Sequence, residues 1–147
     1  MTYLIAIDPG DKHTGVVELN EDGTRIQSYT YDPALTVKML EDNLNFGASE
    51  HNEPLARMVV EKFQLYPNRT KFKAWSGLEV VELIGVIKYI CKKAEIPCLM
   101  VAPPDVNAFW RNREIDPTIK KRLHTKHEVS AYRLGEYARV LRPLQPS

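Results

Sequence analysis

The chain has 147 residues, 44% of them hydrophobic and 27% charged, with a formal net charge of +1. That suits one soluble globular domain, 1–147, with a sizeable core, and is too short for two ordinary domains. No stretch approaches the ~20 apolar residues that cross a bilayer, and early acids, Asp8 and Asp11, break any signal-peptide pattern, so a cytoplasmic protein without a membrane partner is expected.

The first strand is predicted over residues 3–8, where Tyr3-Leu4-Ile5-Ala6-Ile7 ends in Asp8 and Pro9-Gly10 stops it. A carboxylate there points out of a sheet end and can meet a cation or a phosphate-bound metal, although Asp-Pro-Gly is also ordinary turn chemistry. Residues 14–19 read as a second strand, Asn20-Glu21-Asp22-Gly23 as a hairpin turn, and residues 24–31 as a third strand. Asp32-Pro33 starts a helix, with Asp32 as its cap, and Leu35, Met39, Leu40 and Leu44 follow helical spacing. A fourth strand, 57–61, repeats the motif of the first: Met58-Val59-Val60 ends in an acid, Glu61.

Residues 64–73 read as a polar, basic and aromatic loop around Pro67-Asn68. The longest helix is predicted over 75–94, apolar at Leu78, Val81, Ile84, Ile87, Ile90 and Cys91 and again at Val80, Leu83 and Val86, so it needs two packing surfaces. A fifth strand over 96–101 is ended by Pro103-Pro104. A short helix around 106–110, an irregular basic stretch and a last helix over 126–141 complete the chain. Hairpin strands followed by alternating helix and strand give an α/β domain with a mixed sheet.

Charge is segregated. Residues 18–53 carry Glu18, Glu21, Asp22, Asp32, Glu41, Asp42, Glu50 and Glu53 against Arg25 and Lys38. Lys62, Arg69, Lys71 and Lys73 form one basic cluster; Arg111, Arg113, Lys120, Lys121, Arg122 and Lys126 form another. This pattern suits a polyanion-binding face, and equally a solvated surface. Phe63, Tyr66, Phe72 and Trp75 interleave with the first cluster, and aromatic faces stack on unpaired bases at ~1 to 3 kcal/mol each. Phe63 and Trp75 flank a strand and a helix and are expected in the core, leaving Tyr66 and Phe72 either to insert among unpaired bases or to pack the loop on its own aromatics. Phe109 and Trp110, before Arg111 and Arg113, form a lesser version of the same arrangement. Cys91 and Cys98 match no zinc spacing and read as reduced core thiols.

In Ile5-Ala6-Ile7-Asp8-Pro9-Gly10, then Thr14-Gly15, then Val59-Val60-Glu61, then a late helix bearing His127 and Ala131, the chain resembles the RuvC Holliday-junction resolvases. These are a branch of the ribonuclease H-like superfamily, and the short phage-encoded members are the most similar. The resemblance spans nearly the whole chain. It implies a ribonuclease H-like fold with a mixed five-stranded sheet flanked by helices, and a homodimer built on the long helix. It also implies branched DNA as substrate and, for a phage protein, the cytoplasm of a bacterial host.

In-line cleavage of a phosphodiester requires stabilising the attacking and the leaving oxygen, which two divalent ions ~4 Å apart achieve. Hard ions such as Mg²⁺ prefer oxygen ligands. The resemblance implies two ions, Mg²⁺ or Mn²⁺, with Asp8 bridging them, Glu61 on one of them, and two further ligands three residues apart on one face of the last helix. The matching positions are His127 and Ser130. Imidazole ligates Mg²⁺ or, better, Mn²⁺. Serine stands where aspartate is expected, and a hydroxyl is a poor metal ligand. An introduced substitution that traps an inactive complex, a shifted natural site and a degenerate enzyme all account for it. Glu128 points roughly 100° away around the helix and is a poor substitute. His13, His51 and His124 carry no site role in this reading, although His13 lies in the turn after Asp8, near enough to a phosphate there to be noted.

Three functions fit this reading. The first is a metal-dependent, structure-selective endonuclease resolving four-way junctions, weakened or inactive through Ser130. The second is a junction-binding protein that does not cut. The third keeps the fold but acts on RNA–DNA hybrid or flap DNA.

Overall fold

A computed structural model describes residues 2–24, 26–46, 54–63 and 71–144. Strands β1 (Tyr3–Asp8), β2 (Thr14–Asn20) and β3 (Ile26–Tyr31) form an antiparallel meander. Strands β4 (Leu55–Glu61) and β5 (Cys98–Val101) add to it in parallel, giving the order β3-β2-β1-β4-β5. The helices are α1 (Pro33–Phe46), α2 (Lys71–Lys93), α3 (Pro103–Trp110), α4 (Pro117–Lys120) and α5 (Lys126–Leu141). The expected α/β domain with a mixed five-stranded sheet is what forms.

Side chains alternate across the sheet, and both faces are covered. Leu4, Ala6, Val17, Leu19 and Val59 face α3 and α5, against Ala131, Leu134 and Ala138. Ile5, Ile7, Val16, Met58 and Val60 face α1 and α2, against Leu40, Leu83, Ile84 and Ile87. Burial on both sides is why β1 and β4 read as unbroken apolar runs, and each fully buried aliphatic side chain contributes roughly 1.5 to 3 kcal/mol. Helix α5 lies close on β1 because Gly135 leaves room: a Cβ there would meet the Ala6 Cβ at 3.1 Å. Its far end is tied to β4 by Arg57, which is buried, pairs with both carboxylate oxygens of Glu21 at 2.8 Å and donates to the Arg142 carbonyl. Asp32 caps α1 as expected, accepting from the Leu35 amide at 2.7 Å.

Several boundaries move, each for a local reason. The hairpin turn extends to Thr24, whose amide and hydroxyl both bond Asp22 Oδ1, so β3 starts at Ile26. Helix α2 starts at Lys71, which puts Lys71, Phe72 and Lys73 on its first turn rather than in a loop. Its other end closes with Glu95 at φ 59° and the Ile96 amide bonded back to the Cys91 carbonyl, which delays β5 to Cys98. Pro103 and Pro104 do not merely stop a strand. They start α3, where missing N–H groups cost nothing, and the basic stretch that follows contains the single turn α4, capped by Asp116.

Candidate active site

Parity and register bring two acids together. Asp8 continues the Leu4, Ala6 series on the α5 face of β1, and Glu61 follows Val59 on the same face of β4. In the parallel β1–β4 pair Ile7 lies opposite Val60, so Asp8 and Glu61 are neighbours at the carboxyl ends of adjacent strands. Their carboxyls are close enough to share a proton. Burial, then the charge of Asp8, then the hydrogen bond it gives Asp8 push Glu61 from 4.5 up to about 8; Arg133 and Ser130 pull the other way. Asp8 is also raised by burial, opposed by Glu61, by Ser130 and by the charge of His127.

The first turn of α5 reaches this pair because of one glycine. Gly15 is paired with Asp8 across β1 and β2, and a Cβ on it would collide with the His127 carbonyl. With no side chain at 15, the helix start rests on β2 beside Asp8. Thr125 caps it, accepting from the Glu128 amide at 3.1 Å. Glu128 is buried and accepts from Ser28 at 2.6 Å and Thr30 at 2.7 Å, with the His124 amide and Thr125 hydroxyl at 3.3 Å. Burial raises its pKa, but these four donors outweigh that and hold the carboxyl below its ordinary range. Glu128 is therefore a strut between α5 and β3, turned away from the acids as its helical offset implies.

His127, Ser130 and Arg133 succeed one another at one-turn intervals on α5. Ser130 offers its hydroxyl to both carboxyls, and the charge of His127 favours ionised Asp8. His13, exposed in the turn after Asp8, has its ring 5.7 Å from that of His127, at the rim of the site. Two carboxyls that must share a proton when alone fit a hard divalent cation, which would replace the proton and hold both ionised. Asp8 and Glu61 would be its ligands. Among the described residues no three histidine, cysteine or acidic side chains converge into a complete cage.

Of the predicted DNA-contacting residues, Lys62 is exposed one residue beyond Glu61, its amide bonded to the Val101 carbonyl at 2.8 Å. Arg111, Arg113, Lys120 and Lys121 are exposed on the segment that follows β5. Tyr66 and Arg69 lie outside the described residues. For Lys71, Phe72 and Lys73 only their place at the start of α2 is described. Phe109 and Trp110 correct the expectation of base stacking: both are buried, edge-on to Tyr137 and tilted on Tyr132 respectively. The Trp110 Nε1 donates to the Arg133 carbonyl at 2.9 Å. Sequence reasoning used Gly15 as part of the Thr14-Gly15 element without seeing its close approach to α5, and passed over Arg57.

No protein-family model matches the sequence, and no curated protein matches it. Solved structures do. Thermus thermophilus RuvC in complex with a Holliday junction substrate superposes with a TM-score of 0.65 at 14% identity, covering 100% of both chains. A second Thermus thermophilus RuvC structure gives 0.61 at 14% identity, covering 95% of each chain. The fowlpox virus Holliday junction resolvase gives 0.53 at 16% identity, covering 95% of this chain and 99% of that one. With the strand order β3-β2-β1-β4-β5 and α5 laid over the sheet, these matches show that this chain has the RuvC-like fold.

Proposed function

We infer that this chain is a divalent-metal-dependent, structure-selective endonuclease that resolves four-way DNA junctions in the cytoplasm, acting as a homodimer. The observation that carries this reading is the Asp8–Glu61 pair at adjacent strand ends beneath the start of α5. Two structural neighbours support it, a RuvC in complex with a Holliday junction substrate and a fowlpox virus Holliday junction resolvase. A divalent cation bound there, Mg²⁺ or Mn²⁺, would supply Lewis acidity toward a phosphodiester. Asp8 and Glu61 would hold it, His127 would favour the charged form of Asp8, and Glu128 with Gly15 would fix where His127 stands. Lys62, Arg69, Lys71, Lys73, Arg111, Arg113, Lys120 and Lys121 would meet the phosphates, and Tyr66 and Phe72 would stack on unpaired bases.

A two-fold dimer suits a junction of near two-fold symmetry that is cut in two opposed strands. Helix α2 offers a surface for it: Val81, Val86 and Tyr89 are 47%, 41% and 66% exposed. Reduced Cys91 and Cys98, both free thiols, suit the cytoplasm.

The test is cleavage of a four-way junction against linear duplex, with Mg²⁺ or Mn²⁺, for this chain and Asp8→Asn. Junction cutting that needs the metal and is abolished in the variant, with junction binding retained, is expected. Cutting that persists in Asp8→Asn places the chemistry elsewhere. Ser130 favours a second reading, a junction binder that does not cut; tight, salt-sensitive junction binding without cleavage under either metal would establish it.

A further inference from the structure

The two cysteines of the chain meet beneath the last turn of α2. That helix closes at Glu95, where a φ of 59° and the Ile96 amide, bonded to the Cys91 carbonyl at 2.9 Å, turn the chain back under its own helix. Strand β5 then begins at Cys98. Cys98 is registered against Met58 in the parallel β4–β5 pair, so both side chains leave the sheet on the α2 face. Cys91 comes down on the same spot from the helix, its Sγ 3.5 Å from the Met58 Sδ. The two thiols differ in access: Cys91 is 1% exposed, whereas Cys98 is half-buried. Both line an open surface cavity of about 360 Å³, rimmed by Lys88, Tyr89, Lys92 and Ile96. A cationic rim favours the thiolate, which is the nucleophilic form. The hydrogen bond from Cys91, and then the charge of Lys88, hold the Cys98 thiol below its ordinary range against the effect of burial. The same hydrogen bond, and then burial, push the Cys91 thiol up.

We propose that Cys98 and Cys91 form a peroxide-reactive thiol pair, in which Cys98 is the attacking thiol and Cys91 closes on it as an intramolecular disulfide. The Cys98 sulfur attacks one oxygen of a hydroperoxide and the O–O bond breaks. The sulfur is oxidised to a sulfenic acid, and the departing oxygen takes up the thiol proton and leaves as an alcohol, or as water from hydrogen peroxide. The Cys91 sulfur then attacks that sulfur, the S–O bond breaks, and the hydroxyl leaves as water with the Cys91 proton. Two thiols and one peroxide thus give a disulfide, an alcohol and water. An accessible thiol on a cationic rim with a second thiol behind it is the arrangement this chemistry requires. The pair is independent of the acids: Cys98 opens β5, whereas Glu61 is registered against Val101 at its other end. When closed, the bond ties the last turns of α2 to β5.

The full chain, freshly reduced, is treated with one equivalent of hydrogen peroxide and followed by thiol titration, intact mass and non-reducing electrophoresis. Both thiols should disappear, the mass should fall by two hydrogen atoms, no cross-linked chains should form, and dithiothreitol should restore both thiols. The loss should run at least about tenfold faster than that of glutathione at the same pH. Cys91→Ala should stop at a sulfenic acid on Cys98, trapped by dimedone, and Cys98→Ala should leave Cys91 reduced. If an alanine variant does not fold, brief iodoacetamide labelling of the unaltered chain tests the same order: Cys98 should be alkylated before Cys91. The proposal is overturned by thiols that survive the peroxide or react no faster than glutathione. A gain of oxygen in place of the disulfide, a disulfide between chains, or Cys91 reacting first or without Cys98 overturns it equally.

Discussion

The proton shared by Glu61 and Asp8 makes stability fall with rising pH, the reverse of ordinary acid unfolding. Glu61 titrates near 4.5 in an unfolded chain and at about 8 in the folded one, chiefly because burial strips water from the carboxylate. The folded state therefore binds the proton more tightly. Its contribution is fully present below 4.5 and is lost as the pH rises through about 8. A tenfold change in acid constant is worth ~1.4 kcal/mol, so the ceiling is roughly 5 kcal/mol. Glu61 sits at an open sheet end, where water screens part of this, and roughly 2 kcal/mol is expected. The assay is urea unfolding in chelator at about pH 5 and about pH 9, for the unaltered chain and Glu61→Gln. The unaltered chain should lose ~2 kcal/mol more than the variant across that interval, and millimolar Mg²⁺ at the higher pH should restore most of the loss by binding two ionised carboxylates. If Glu61→Gln shows the same pH slope as the unaltered chain, the two acids are not packed together as described and the reasoning fails.

Gly15→Ala drives a methyl group into the His127 carbonyl and should cost ~3 kcal/mol in urea unfolding while displacing the start of α5, so junction cleavage falls with stability. Glu128→Ala removes two short bonds from Ser28 and Thr30 to a buried carboxylate and should also cost roughly 3 kcal/mol. That contribution is present above the ordinary 4.5 and lost as the pH falls, so the variant should unfold less steeply in acid; an unchanged acid limb would show that Glu128 is not the strut. Tyr89→Glu changes an exposed side chain and should leave the melting temperature within a few degrees while converting the proposed dimer to a monomer by sedimentation; a monomeric unaltered chain would refute the α2 interface.

Both acids were legible before any coordinates, because an apolar run halted by Pro-Gly or by a charge is a local signal that needs no partner. The span of α5, 126–141, was read along the chain as it stands in the structure, where the adjoining Thr125 caps its first turn. Boundaries failed where one residue served two elements. Ile96 gives its amide to the end of α2, and Pro103 and Pro104 both stop β5 and open α3. Phe109 and Trp110 looked like base-stacking residues next to Arg111 and Arg113, yet only the approach of α5, some twenty residues on, decides that they are buried.

The site itself belongs to the tertiary structure. That Asp8 and Glu61 share a face follows from strand parity, but that they are neighbours follows from a parallel pairing of segments about fifty residues apart, which no local preference encodes. Gly15 has meaning only once the His127 carbonyl rests on it, and Glu128 only once Ser28 and Thr30 are brought beneath it. Arg133 gains a partner only once the Trp110 ring comes to lie against it, with the Arg133 Cζ 5.9 Å from the ring centroid. Propensity and turn chemistry act over a few residues and so can be read along the chain. Register, close approach and the field between charges depend on distances through space, and those exist only after the chain has folded.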